Sequence, residues 1–108
     1  MSLVEHRTAH GWTVLSPTGR LDAHTSQPLE EDLLARVTPN LKLALDLGSV
    51  DYMSSAGLRV LMKVFKACQT GGGNMVLLNP LPNVREVLDI SGFLQIIPVL
   101  DAEANLPA

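Results

Sequence analysis

Cysteine is nearly absent. Cys68 is the single cysteine in 108 residues, so it has neither a disulfide partner nor a companion thiol for a metal centre within the chain. It falls at helical spacing among apolar residues and reads as a small buried hydrophobe, as suits a reducing compartment. Positive charge is scarce as well. Eight Lys and Arg against eleven Asp and Glu give a formal net charge of −3, which leaves no electrostatic footprint for a nucleic acid. Long hydrophobic runs are missing too. Stretches such as Met75 to Leu78 and Ile96 to Leu100 fall far short of the ~20 residues that span a bilayer, and Met1 to Thr8 lacks the features of a secretory signal. These absences lead us to expect a cytoplasmic protein with no nucleic-acid partner and no membrane insertion. A chain of 108 residues is expected to form one domain over residues 1–108, packed from about residue 4 to residue 100, with 101–108 as a frayed tail.

Catalytic patterns are equally thin. His6, His10 and His24 fall in a strand, a turn and a loop or helix start, and no cysteine or carboxylate cluster near them has metal spacing. Gly71-Gly72-Gly73 follows a helix and opens a strand, the reverse of the order in a phosphate-binding loop. Ser55 lacks the G-x-S-x-G turn that exposes a hydrolase nucleophile, which leaves a Ser55, His24, Asp22 triad across the sheet edge as the one conceivable arrangement. Neither a Walker loop nor a dinucleotide fingerprint is present. The chain is therefore expected to be an interaction module, without enzymatic activity, metal or cofactor.

What the sequence does have is period. Leu41, Leu43, Leu45 and Leu47 alternate with Lys42, Ala44, Asp46 and Gly48, the pattern of a strand buried on one face. Leu58, Leu61, Phe65 and Cys68 then recur at helical spacing, while Arg59, Lys63 and Lys66 form a basic stripe on another face. Leu3 to Thr8 and Trp12 to Ser16 read as a hairpin around Ala9-His10-Gly11. Asp22 to Val37 reads as helical, with Leu29, Leu33, Leu34 and Val37 on one side and acid near its start. After the glycines come a strand over Asn74 to Asn79, a short helix from Pro82 carrying Val84, Val87 and Leu88, and a strand over Leu94 to Leu100 that Pro98 confines to an edge. The order β-β-α-β-α-β-α-β argues for an α/β domain with a mostly parallel sheet. Alternation in the leucine strand argues for helices on one face, with the other at least partly wet.

The most informative stretch is Val50 to Leu58, where Ser54 and Ser55 stand between strand and helix. Serine is a favoured N-cap, because its hydroxyl can accept from an unpaired amide of the first turn. A hydroxyl at a helix N-terminus is also a place where phosphate is well tolerated. Both readings remain open on the residues alone.

The run Tyr52 to Leu61, YMSSAGLRVL, preceded by a strand with Asp46, closely resembles the signature of STAS domains of the stand-alone anti-sigma factor antagonist type. Gly19-Arg20-Leu21-Asp22 resembles that family's second-strand exit, and Asn79-Pro80, Val84, Val87, Leu88 and Gly92-Phe93 resemble its closing helix and turn. The similarity runs from about Val4 to Leu100. It implies helices stacked on one side of the sheet and a role in partner switching. In such systems the antagonist binds an anti-sigma factor that is also a serine kinase, is phosphorylated by it, and is restored by a serine phosphatase. By motif position Ser55 is the implied phosphoacceptor, with Asp22, Ser54, Ala56, Gly57 and Arg59 beside it on the docking surface. Many members carry Asp immediately before the phosphoacceptor where this chain has Ser54, which makes Ser54 the second choice. The resemblance is also compatible with a STAS subunit that docks in a larger assembly, such as a lipid transporter or stress-signalling complex, with no phosphate cycle.

Overall fold

Val14 and Leu15, Leu43 to Leu45 and Met75 to Leu78 are buried almost completely, and the sheet is built on them. In the computed structural model, which describes residues 2–8 and 10–107, they lie on β2 (Thr13–Pro17), β4 (Lys42–Asp46) and β6 (Asn74–Leu78). These strands pair in parallel, with Leu15 opposite Leu45 and Leu45 opposite Leu77. Residues so apolar on both sides of the pleat belong in the middle of a covered sheet. β1 (Leu3–Arg7) adds to β2 as the antiparallel arm of a hairpin, and β7 (Val99–Leu100) closes the far edge, giving the order β1-β2-β4-β6-β7. Of the turn between β1 and β2, Gly11 takes φ +84°, while Ala9 lies outside the described residues.

Three helices pack on one face of this sheet: α1 (Ser26–Ala35), α2 (Ser55–Thr70) and α3 (Pro82–Ile90). Leu29 and Leu33 of α1, Val60, Leu61, Val64 and Phe65 of α2, and Val84 and Leu88 of α3 meet Leu15, Leu43, Leu45, Met75 and Leu77 in one core. The mostly parallel α/β architecture with helices on one face is the one the sequence implied. In α2 the buried stripe is wider than Leu58, Leu61, Phe65 and Cys68: Val60 and Val64 are buried, and Leu58 is only partly so.

The opposite face is not wet at its centre. Val14, Ala44, Val76 and Leu78 are buried there beneath Trp12, together with Leu100 and Leu106. Ala44, a small residue between Lys42 and Asp46, is buried in this second cluster, and Lys42 Nζ lies 5.2 Å from the centre of the Trp12 ring. Residues 101–107 also reach this face. A 3-10 turn over Glu103–Asn105 brings Leu106 onto this face, the Trp12 indole N–H donates to the Pro107 carbonyl at 2.9 Å, and His6 meets Glu103. Burial of Trp12 favours this arrangement by about 1.5–3 kcal/mol, and Leu106 is partly covered beside it.

Two more differences shape the site. The leucine strand does not run into the serine motif. β4 stops at Asp46, whose Oδ1 accepts the Gly48 N–H at 2.9 Å, and a separate short strand β5 (Val50–Met53) follows. β5 pairs in parallel with β3 (Gly19–Leu21) to form a two-stranded ribbon apart from the main sheet. The last strand shrinks to Val99–Leu100, because Phe93–Gln95 coils to bury Ile97 and Pro98 has no N–H for the ladder.

Candidate functional site

The ribbon of β3 and β5 brings the start of α2 against the turn that leads into α1. Ser54 follows β5, and its N–H donates to the Leu21 carbonyl at 2.9 Å. It stands at the N-cap of α2 in an extended conformation, φ −99° and ψ 178°. Its hydroxyl does not cap the helix; Oγ donates to the same Leu21 carbonyl at 3.3 Å. Ser55 is the first helical residue and is exposed. Neither serine therefore plays the capping role that its residue type allows. The nearest strong acceptor for Ser54 lies on the neighbouring strand, and that bond wins. As a result the first-turn amides of α2 have no side-chain acceptor and no acid beside them. The positive end of the helix dipole is left open next to an exposed hydroxyl.

Gly57 explains why the two turns can meet. It is buried, and a Cβ there would sit 3.1 Å from Leu21 Cβ, from the Leu21 carbonyl oxygen and from Met53 Cγ. Gly57 thus shapes the site by close approach of the two turns. Ala56 is half-buried, and Arg59 is exposed one turn beyond Ser55.

The turn ahead of α1 is knotted. Helix α1 starts at Ser26, not at Asp22, because residues 22–25 close on themselves. Asp22 Oδ1 accepts the N–H of His24 at 2.9 Å and of Thr25 at 3.2 Å, an Asx turn. Thr25 Oγ1 donates to the Arg20 carbonyl at 2.6 Å and accepts the Asp22 N–H at 3.0 Å. Ser26 Oγ donates to the Asp22 carbonyl. Above all by the bond from His24, and then by that from Thr25, these amides hold the Asp22 carboxyl below its ordinary value of 3.8. Arg20 lies 3.5 Å from Asp22 Oδ2 and stacks 4.2 Å from the centre of the Tyr52 ring, its cross-strand neighbour. Tyr52 is 40% exposed.

Arg20, Thr25, Ser26 and Tyr52 were not singled out by sequence reasoning. The Asp22-x-x-Thr25 spacing is a signal that could have found the turn; the stacking of Arg20 on Tyr52 needs the ribbon, which local pattern does not reveal. No nucleophilic triad is assembled: among the described residues no hydrogen bond joins the His24 ring to Asp22 or Ser55, and Asp22 Oδ1 already accepts backbone amides. Burial raises the Cys68 thiol above its ordinary value, which keeps it protonated. Among the described residues no helix is long and apolar enough to cross a membrane.

The basic stripe is also uneven. Lys63 pairs with Glu30 of α1 at 3.2 Å, so it ties two helices together, whereas Arg59 and Lys66 remain exposed. An exposed hydroxyl at a helix start, amides that no side chain of the described residues caps, and the Arg59 guanidinium four residues on, with no salt bridge among the described residues, form a place that can take a phosphate.

Comparison with known proteins agrees with this geometry. The family model described as the STAS domain matches residues 3–106. BtrV of Bordetella bronchiseptica, named as a candidate anti-sigma factor antagonist, is 41% identical over 93 residues, covering 85% of this chain and 80% of that protein. The anti-sigma F factor antagonist of Paenibacillus polymyxa is 30% identical over 106 residues, covering 94% and 89%. The solved fold of the anti-sigma factor antagonist SpoIIAA in its unphosphorylated form superposes with a TM-score of 0.72 at 19% identity, over 91% of this chain and 87% of that one. SpoIIAA from Bacillus has also been solved in a phosphorylated form, which superposes with a TM-score of 0.65. The chain thus belongs to the STAS domain family, among relatives named as anti-sigma factor antagonists.

Proposed function

We propose that this protein is an anti-sigma factor antagonist of the cytoplasm, switched by phosphorylation of Ser55. Unphosphorylated, it binds an anti-sigma factor that is also a serine kinase and so frees the sigma factor. The kinase transfers the γ-phosphoryl group of ATP to Ser55 Oγ, with loss of the hydroxyl proton and release of ADP, and a serine phosphatase hydrolyses the ester. The observation that carries this reading is the exposed Ser55 hydroxyl at the first residue of α2, beside amides that no side chain caps. Ser54, half-buried and bonded to Leu21, is the poorer acceptor.

A phosphoserine brings about −1.5 to −2 charges at neutral pH. At the start of α2 such charge is stabilising, by about 0.3–1 kcal/mol per charge at an exposed site. Phosphorylation therefore leaves the domain folded, and its effect falls on the contact with the partner. Incubation with candidate anti-sigma kinases and ATP, followed by intact mass and fragmentation, tests the reading. One phosphate on Ser55 is the expected result, and one on Ser54 would move the site while keeping the mechanism. A kinase-like partner that binds yet adds no phosphate would favour a docking subunit of a larger assembly.

A further inference from the structure

Arg59 forms no salt bridge among the described residues. It is exposed on α2, and no carboxylate of the described residues lies within 4.0 Å of it. Lys63, the next cation along the same face, is held by Glu30. Helices α1 and α2 leave between them a groove of about 400 Å³, with Ala23, Gln27 and Glu30 on one wall and Ala56, Arg59 and Lys63 on the other. Its formal charge is positive by one, on a chain whose net charge is −3. Ser55 directly precedes Ala56 of the groove wall, and with Lys63 paired to Glu30 the charge left over in the groove is that of Arg59.

On the function proposed above, we propose that this groove seats a carboxylate of the anti-sigma kinase on Arg59, and that a phosphate on Ser55 releases the kinase by taking Arg59 for itself. Ser55 and Arg59 are four residues apart on one helix, so their Cβ atoms lie about 5–6 Å apart on the same face. A guanidinium binds phosphate and carboxylate through the same fork of N–H donors, and one fork cannot serve both. The phosphate is tethered to the same helix and competes at high effective concentration, whereas the partner's carboxylate must be brought from solution. Release thus follows from withdrawal of an attractive charge as well as from repulsion by the added one.

Calorimetric affinities for the anti-sigma kinase decide the matter, measured for the wild type, Arg59→Gln, Ser55→Glu and the double variant, with circular dichroism as a check on folding. Arg59→Gln should weaken binding by about tenfold or more, and Ser55→Glu should cost less in that background than in the wild type by a similar factor. Losses that simply multiply would overturn the capture mechanism. Lys66→Gln should leave affinity within about threefold, because Lys66 is exposed on α2 outside the groove. Glu30→Gln, which frees a second cation in the groove, should tighten binding; weaker binding would count against an acidic occupant. A wild-type protein that binds no anti-sigma kinase would remove the function itself, whereas wild-type binding unmoved by Arg59→Gln would remove only this inference.

Discussion

The two helices that flank the groove begin in opposite ways. Ahead of α1, Asp22, Thr25 and Ser26 bind one another and the backbone through their polar side-chain atoms. Ahead of α2, the Ser54 hydroxyl turns away to Leu21 and the Ser55 hydroxyl stays in solvent, with no acid in the first turn. The first start is saturated and the second is left open. Leu21 joins them, bonded to Ser54 and pressed against Gly57. A hydroxyl that can change its charge is thereby mounted on a frame that stays in place when it does. On the proposed function, a phosphate on Ser55 would act on the partner without refolding the domain that carries it.

The comparison breaks most visibly if charge is placed at the open start. Ser55→Glu should bind the anti-sigma kinase about a hundredfold more weakly, read by titration calorimetry, while its unfolding midpoint stays near that of the wild type. Moving a partner from 99:1 to 1:99 takes about 5.5 kcal/mol, and a full phosphoserine carries more charge toward that figure than one carboxylate. Unchanged affinity would place the start of α2 outside the interface.

Next in size is the contact that holds the two starts together. Gly57→Ala gains about 1 kcal/mol of helix propensity in a free helix, but its methyl meets Leu21 and Met53 at 3.1 Å. Overpacking at such a site costs about 1–3 kcal/mol, so the net expectation is a loss of about 1 kcal/mol in denaturant unfolding. A more stable variant would mean that the ribbon yields easily and is not the frame described above. Thr25→Val attacks the saturated side alone. It removes one donor to Arg20 and one acceptor for Asp22 while keeping the shape, and should cost about 1 kcal/mol.

Acid should loosen the same turn by a smaller amount. The amides of His24 and Thr25 hold the Asp22 carboxyl below 3.8, so the folded state binds its proton less readily than the unfolded chain. The resulting stabilisation is complete above 3.8 and is lost as pH falls through the lower folded value. Asp22→Asn keeps an oxygen for the two amides but cannot titrate. Its stability should fall less steeply than the wild type's on the acid limb, and equal slopes would show that Asp22 contributes nothing there.

How much of this was legible in the chain depended on range. β2, β4 and β6 announce themselves as short apolar or alternating runs, because the middle of the sheet is covered, and α2 and α3 announce themselves by helical period. The position of Ser55 at a helix start was legible for the same reason. β3 and β5 were not read as a ribbon, since strands of three and four residues carry too little pattern and are defined by each other across the chain, Gly19 beside Val50. The covered second face was missed because Trp12 and Leu106 lie far apart in sequence, and a short polar tail gives no sign of the indole it will meet. The bonds of the serines belong to the same class: what Ser54 binds is a carbonyl 33 residues away.

Ser55→Ala carries the smallest expected effect and the most pointed one. If serine at the start of α2 were a cap, its loss would cost about 1 kcal/mol, in the usual range for N-caps. In this structure Ser55 stands at the first helical position with its side chain in solvent, and the N-cap position belongs to Ser54, whose hydroxyl is turned elsewhere. The stability of Ser55→Ala should therefore lie within about 0.5 kcal/mol of the wild type, as for a surface site without special contacts. Its binding to the anti-sigma kinase should persist in the presence of ATP, where the proposed function has the wild type phosphorylated and released. A loss of 1 kcal/mol or more in denaturant unfolding would mean that the hydroxyl supports the helix after all, and that the open start contrasted here with the knotted one is closed by Ser55 itself.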